Sequence, residues 1–128
     1  MRLLLDTHAL LWWLDGDPKL SPAARTAMSH EAHPVWVSAA TAWEIATKVR
    51  IGKLPEAGEV AARLPDILAE QVFSPLAISI EHARRAGLLQ HKHRDPFDRM
   101  LIAQALIEGM TLVSNETLFD SFQVQRLW

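Results

Sequence analysis

The chain has 128 residues, the usual size of a single domain and enough for a well-buried core. Its net charge of −2 at pH 7 gives no bulk attraction to nucleic acid, so such a role would need a local basic patch or a metal ion. Cysteine is absent, which excludes disulfides and thiolate metal sites and favours a reducing compartment. With no signal-peptide pattern and no long apolar run, we expect a cytoplasmic protein that has no membrane partner.

The apolar run Leu3–Leu5 is typical of a central strand covered by helices on both faces, and it ends abruptly at Asp6. Asp6 stands near the N-cap of a short helix predicted over residues 7–14. The next predicted elements are a helix from Ser21-Pro22 to near His33, a strand at 35–38, a helix at 39–49, and a helix at 58–71 that Pro65 kinks. In the helix at 39–49 we expect the apolar face to consist of Ala39, Ala42, Trp43, Ala46 and Val49.

The second half of the chain continues the alternation of strands and helices. The predicted elements are a strand at 76–78, a helix from Ser79 to about 89, a basic loop at 91–94, a helix from Asp95 to Gly109, a strand at 111–114, a short helix at 118–122 and a final strand at 124–127. Together they predict a three-layer α/β/α sandwich with a central parallel sheet of four to five strands, in one domain over residues 1–128.

Acidic residues stand at the ends of predicted strands or early in predicted helices. They are Asp6, Glu44, Asp95, Asp98 and Glu116. Each alone has an ordinary structural explanation, as a helix cap, as a charge at the positive end of a helix or, for Glu44, as the i,i+4 partner of Lys48. Helices that follow parallel strands begin along one edge of the sheet, so we expect Asp6, Asp98 and Glu116 to come together. Glu44 is not readily explained as a surface acid, because the apolar Trp43 and Ile45 flank it.

Carboxylates gathered in one place repel each other unless they are protonated or bridged by a cation. Ligand sets made only of oxygen favour Mg²⁺ or Mn²⁺ over zinc. Such ions orient a phosphodiester and activate water to attack it. The ligand set therefore predicts a metal-dependent phosphodiesterase.

Three stretches of the sequence carry the pattern of a known family. They are LLLDTHALLW at residues 3–12, SAATAWEIATK at 38–48 followed by Gly52-Lys53-Leu54, and HRDPFDRMLIAQA at 93–105. In order and spacing they resemble PIN-domain proteins and, more narrowly, VapC-type toxins of bacterial toxin–antitoxin pairs. The resemblance implies an endoribonuclease that depends on Mg²⁺ or Mn²⁺, forms a homodimer, cleaves RNA and is silenced by a cognate antitoxin.

The resemblance also implies roles for individual residues. Asp6, Glu44 and Asp98 match the first three acids of the family, which implies that they bind one or two metal ions while Asp95 and Glu116 shape the rest of the catalytic site. The fourth acid falls in Ser114-Asn115-Glu116, where Glu stands in place of the commoner Asp, so Glu116 reaches the metal directly or through water.

Neighbouring residues supply candidate supporting groups. We expect Thr7 either to hydrogen-bond Asp6 or a metal-bound water, or to cap its helix, and we place Ser114 beside it as a second supporting residue. We expect His93 and Arg94 in the basic loop to contact RNA phosphate. Arg99 either contacts phosphate as well or pairs with a neighbouring acid.

Two other functions remain open at this point. An apolar strand that ends in Asp6-Thr7 also resembles the start of haloacid-dehalogenase-like phosphatases, although those usually carry a second acid where this chain has His8. Alternatively, the acids only cap helices and the domain is a non-catalytic binding module. A metal titration separates this last case, because an ion that binds the native state stabilises it.

Overall fold

A computed structural model describes residues 1–128, and its elements follow the predicted order. The strands are β1 (Leu3–Leu5), β2 (Val35–Ser38), β3 (Ser74–Leu76), β4 (Thr111–Val113) and β5 (Arg126–Leu127). The α-helices are α1 (Thr7–Asp15), α2 (Pro22–Ser29), α3 (Ala39–Arg50), α4 (Gly58–Gln71), α5 (Ile80–Leu88) and α6 (Pro96–Glu108), with 3₁₀ turns at Pro55–Ala57 and Thr117–Phe122. None of these helices combines the length and the apolar composition that a membrane span requires.

The strands form one five-stranded sheet in the order β3-β2-β1-β4-β5, and every neighbouring pair is parallel. The predicted parallel sheet is therefore confirmed. The chain adds β2 and β3 on one side of β1, and β4 and β5 on the other. In such sheets the crevice outside the carboxyl ends of the strands, at the point where the order reverses, is the usual place for a ligand.

The side chains of β1 divide the core into two layers. Leu3 and Leu5 pack with residues of α1, α2, α3 and α4 on one face of the sheet. Leu4 points to the opposite face, because successive side chains of a strand alternate, and packs with Leu101 and Ile102 of α6. All three leucines are fully buried. Helices thus cover both faces, which confirms the predicted three-layer sandwich.

The ends of α1 and α6 are defined by the residues that the sequence pattern indicated. Asp6 caps α1 by accepting a hydrogen bond of 2.8 Å from the backbone N–H of Ala9. Asp95 caps α6, Pro96 occupies its first position, and Gly109 ends it with a φ of +65°. Both caps place a carboxylate at the edge of the sheet.

Some boundaries differ from the prediction. The helix α2 ends at Ser29 rather than near His33, because His30 closes a turn: its carbonyl accepts from the N–H of His33 and its ring from that of Ala32. The third strand lies at 74–76 rather than 76–78, and it contains Pro75. A proline that lacks an N–H is tolerated there because β3 is an edge strand.

The predicted apolar face of α3 is wrong at three of its five positions: Ala39, Trp43 and Ala46 are exposed, while Ala42 and Val49 pack against the core. The helix buries Ala40, Thr41, Glu44 and Ile45, while Trp43 is 60% exposed. Instead of entering the core, the Trp43 ring contacts Phe97 edge-to-face, with 4.8 Å between centroids. The helix is thereby turned so that Glu44, a charged residue, faces inward.

Candidate active site

A cavity of about 280 Å³ lies at the carboxyl edge of the sheet, beside the ends of β1 and β4. We call it the acidic pocket. It is lined by Asp6, Thr7, His8, Trp12, Glu44, Lys48, Asp95, Asp98, Asn115, Glu116 and Phe119. The structure therefore brings all five acids named from the sequence to one cavity, although they come from four separate stretches of the chain.

Asp6 is held rigidly at the end of the central strand. Its backbone N–H donates to the carbonyl of Val113 on β4, and its carboxylate caps α1 through Ala9. Burial raises the pKa of Asp6, and hydrogen bonding with Ser114 and Ala9 offsets part of that rise. The Glu44 charge adds a smaller upward contribution to the pKa. Asp6 is thus a desolvated carboxyl whose ionised form lacks sufficient compensation from the protein alone.

Glu44 is buried, and both of its carboxylate oxygens are occupied. The Thr7 hydroxyl donates to Oε1 at 2.5 Å, and the Lys48 ammonium donates to Oε2 at 2.5 Å. The predicted i,i+4 pair with Lys48 is therefore present. Thr7, by contrast, hydrogen-bonds Glu44 rather than Asp6. Its hydroxyl links the first turn of α1 to α3, across 37 positions of the chain.

Asp98 and Asp95 occupy the start of α6. One oxygen of Asp95 accepts from the backbone N–H groups of Phe97 and Asp98, at 2.9 and 3.2 Å. Asp98 Oδ2 lies 2.9 Å from His93 Nε2. Burial raises the pKa of Asp98, the hydrogen bond with His93 lowers it, and the charges of Asp95 and Glu44 raise it further. Asp98 therefore shares the electrostatic environment of the other acids in the pocket.

Glu116 stands at the exposed rim of the acidic pocket. Its carboxylate caps the 3₁₀ turn that begins at Thr117 by accepting from the N–H of Leu118 at 3.0 Å. Ser114 is completely buried at the end of β4, and its hydroxyl accepts from the backbone N–H of Glu116 at 3.0 Å. Ser114 thus stands between Asp6, whose pKa it lowers, and the segment that carries Glu116.

The three basic-loop candidates have different environments. His93 contacts Asp98 directly, as described above, and Arg94 is exposed and makes no hydrogen bond or ion pair. The expected pairing of Arg99 with an acid is wrong, because its guanidinium forms no ion pair. It donates instead to the backbone carbonyls of Ala86, Gly87, Leu89, His91 and His93. Arg99 therefore fixes the loop that carries His93, and contact with phosphate would compete with these carbonyls.

Sequence reasoning did not identify several residues of the pocket. His8 and Trp12 stand on α1, and Asn115 and Phe119 follow β4. His8 and Asn115 follow within three residues of the ends of β1 and β4. Their places at the edge of the sheet could therefore have been predicted from the sequence. The places of Trp12 and Phe119 depend on how α1 and the 3₁₀ turn pack, for which the sequence contains no local signal.

The donor atoms of the acidic pocket suit a hard divalent ion, since they are carboxylate oxygens with no thiolate among them. As the side chains stand, no three histidine, aspartate or glutamate residues are arranged to hold a metal ion together. The contacts above give the reason: Glu44 is engaged by Thr7 and Lys48, and Asp98 by His93. Asp98 has its Oδ1 outside any hydrogen bond, whereas both oxygens of Glu44 are engaged, so an ion competes with Lys48 or Thr7 for Glu44.

A family model and a curated relative both show sequence similarity to this chain. A family model described as PIN domain matches residues 3–124, a range that contains all five acids. The chain is also similar to Ribonuclease VapC16 of Mycobacterium tuberculosis, with 44% identity over 52 residues. That match covers 41% of this chain and 36% of the relative, so it spans about a third of the relative's length.

Solved structures share the fold over almost the whole chain. One of them is VapBC2 from Rickettsia felis, whose structure contains a DNA fragment from the VapBC2 promoter. It matches with a TM-score of 0.72 and 17% identity, over 98% of this chain and 97% of that chain. VapC20 from Mycobacterium tuberculosis, described as a sarcin-ricin loop cleaving toxin, matches with a TM-score of 0.69 and 13% identity, over 95% of each chain. At these identities the likeness concerns the fold.

Proposed function

Since this chain belongs to the PIN-domain family, we propose that it is a metal-dependent endoribonuclease, the toxin of a VapBC-type toxin–antitoxin pair. The observation that carries the proposal is the convergence of five acids on one pocket at the switch point of a parallel sheet. The similarity to a relative named as a ribonuclease supports RNA as the substrate. We accordingly assign hydrolysis of an RNA phosphodiester to the acidic pocket.

In this proposal Asp6, Glu44 and Asp98 hold one or two Mg²⁺ or Mn²⁺ ions, and Asp95 and Glu116 shape the rest of the pocket. A bound ion of this kind lowers the pKa of water and polarises a phosphodiester. The protein fixes the ligands: the α1 cap orients Asp6, Thr7 holds Glu44, and the Asp95 cap sets the start of α6 and hence Asp98.

The proposal includes two macromolecular partners besides RNA. A cognate antitoxin is supported by structural neighbours that are described as VapBC assemblies. A homodimer is proposed from the family resemblance of the sequence, and a cytoplasmic location from the absence of cysteine and of a signal-peptide pattern. His93 and Arg94 remain candidates for contact with RNA phosphate, since both belong to the loop beside Asp98.

The two alternatives stand differently after the comparisons. Membership of the PIN-domain family removes the basis for a haloacid-dehalogenase-like phosphatase, because that resemblance rested on one short stretch. At the position where such phosphatases usually carry a second acid, this chain has the exposed His8. The non-catalytic binding module is an outcome of the test below.

The proposal is tested by incubating the purified protein with total RNA in Mg²⁺, in Mn²⁺ and in EDTA, and by mapping the cut sites. We expect cleavage that requires the metal and is lost in Asp6→Asn and Asp98→Asn. The matched control is Asp66→Asn, which changes an exposed acid of α4 outside the acidic pocket and should cleave like the wild type.

Two results contradict the proposal. Full metal-dependent cleavage by both Asp6→Asn and Asp98→Asn removes the acidic pocket from the reaction. No cleavage under any condition, together with a melting temperature that Mn²⁺ leaves unchanged, identifies a binding module instead, because a bound ion stabilises the native state.

A further inference from the structure

The acidic pocket contains a single lysine or arginine among its lining residues, Lys48. Its ammonium lies 2.5 Å from Oε2 of Glu44, and its side chain is 31% exposed while that of Glu44 is 8% exposed. The pair spans one turn of α3, with the acid on the N-terminal side, which is the favourable orientation. Lys48 thus brings the one fixed positive charge to a pocket of five acids.

This ion pair differs from the surface pairs of the molecule. The pair between Arg84 and Glu81 joins two side chains that are more than half exposed, so water screens it. Glu44 has lost most of its water, and its two oxygens depend on Lys48 and Thr7. Removal of one partner from a buried charge leaves that charge uncompensated, which is costly.

We propose that Lys48 is the built-in counter-cation of the acidic pocket, which stabilises Glu44 in the metal-free protein and competes with a divalent ion for the same carboxylate. The inference rests on the proposed function, because it concerns the metal of that site. Lys48 is a positioning residue in this role, since it acts through Glu44.

Two opposite effects of removing Lys48 follow from this arrangement. Without the ammonium, Glu44 is a buried charge with only the Thr7 hydroxyl as partner, so the metal-free protein becomes less stable. A divalent ion no longer has to displace the ammonium or approach a like charge, so it binds more tightly. A residue that served only the fold would produce the first effect without the second.

The test uses Lys48→Met, which keeps an unbranched side chain one atom shorter and removes its charge. Calorimetric titration should show Mn²⁺ binding about tenfold tighter than in the wild type, as expected for the loss of one nearby partly screened charge. The melting temperature in EDTA should fall below that of the wild type. Saturating Mn²⁺ should then raise the melting temperature of the variant by more than it raises that of the wild type. Lys48→Arg, which retains the charge, should bind Mn²⁺ nearly as the wild type does.

Two further variants separate the specific effect from a general one. Lys53→Met removes an exposed lysine just beyond α3 that makes no ion pair, and it should change neither measurement. In the Glu44→Gln background, Lys48→Met should no longer lower the melting temperature in EDTA, since the buried charge that the lysine compensates is absent.

The outcomes distinguish this inference from the proposed function. If the wild type binds Mn²⁺ and Asp6→Asn does not, while Lys48→Met binds with unchanged or weaker affinity, the competition is refuted and the metal site stands. If the wild type binds no Mn²⁺, both the competition and the metal dependence of the proposed nuclease are refuted.

Discussion

Arg99 offers the sharpest test of how the fold holds its candidate site. Its guanidinium donates to five backbone carbonyls at distances between 2.8 and 3.4 Å. These carbonyls belong to the end of α5 and to the loop that leads to α6, where His93 contacts Asp98. We expect Arg99→Met to destabilise the protein and to loosen this loop.

The expected magnitude follows from the hydrogen bonds that are lost. A hydrogen bond from a charged donor contributes about 1.5–3 kcal/mol, but water replaces those bonds that are partly exposed, so we expect a total loss of roughly 3 kcal/mol. In a domain of this size such a loss lowers the melting temperature by about 10 °C. Arg99→Lys should lose less, because an ammonium can donate up to three of these hydrogen bonds.

Two assays measure the stability and the loop separately. Thermal unfolding gives the melting temperature, and limited trypsin digestion reports the loop, since Lys92 and Arg94 are exposed cleavage sites within it. Arg84→Met is the matched control: it removes an exposed arginine of α5 that makes one surface ion pair, and it should lower stability by less than about 1 kcal/mol.

The structural argument is refuted if Arg99→Met melts within a degree or two of Arg84→Met and is digested at Lys92 and Arg94 no faster than the wild type. In that case the carbonyl contacts of Arg99 contribute nothing to stability. Contact with RNA phosphate, the other role that the sequence left open for Arg99, then becomes the better explanation.

Three further predictions follow from single residues. Asp6→Asn should stabilise the metal-free protein by about 1–2 kcal/mol, seen as a higher melting temperature in EDTA, because burial raises the pKa of Asp6 and so disfavours its ionised form at neutral pH. Mn²⁺ should stabilise this variant less than it stabilises the wild type. Val72→Gly should stabilise the protein by about 1 kcal/mol, seen as a higher urea midpoint, because the exposed, β-branched Val72 ends α4 with a φ of +59°. An unchanged midpoint would contradict this prediction. Asp120→Asn should melt below the wild type at neutral pH and equal it in strong acid: the hydrogen bonds with Arg126 lower the pKa of Asp120, so its stabilisation is present above the ordinary pKa and is lost as the pH falls through the lowered one. A difference from wild type that persisted in strong acid would refute this assignment.

Much of the fold was predictable because its signals are local. The run Leu3–Leu5 is apolar without alternation, as in a strand buried on both faces, and it proved to be the central strand. Asp95, Pro96 and Gly109 mark the ends of α6 through cap, ring and left-handed conformation. Each of these preferences acts within a few residues of the chain, so it is present in the sequence itself.

The candidate site was predictable only in part. Asp6 and Glu116 could be placed at one edge, because each follows a strand of the parallel sheet. Asp98 lies on α6, which follows α5 rather than a strand, so this rule does not place it. The inward direction of Glu44 could not be derived, because hydrophobicity assigned Trp43 to the core and the structure exposes it. Which face of α3 is buried depends on the shape of the surface that receives it, here α4, α6 and α1.

The sequence by itself determined the order of the strands and helices along the chain, the caps of α1 and α6, and the place of Asp6 at the edge of the sheet. The tertiary structure alone decided which groups the charged side chains of the site contact: the Thr7 hydroxyl on Glu44, the His93 ring on Asp98, and the backbone carbonyls, rather than an acid, on Arg99. The physical reason is range. Propensities and caps act between neighbours in the chain, whereas a buried charge finds its partner only after packing has removed the water around it.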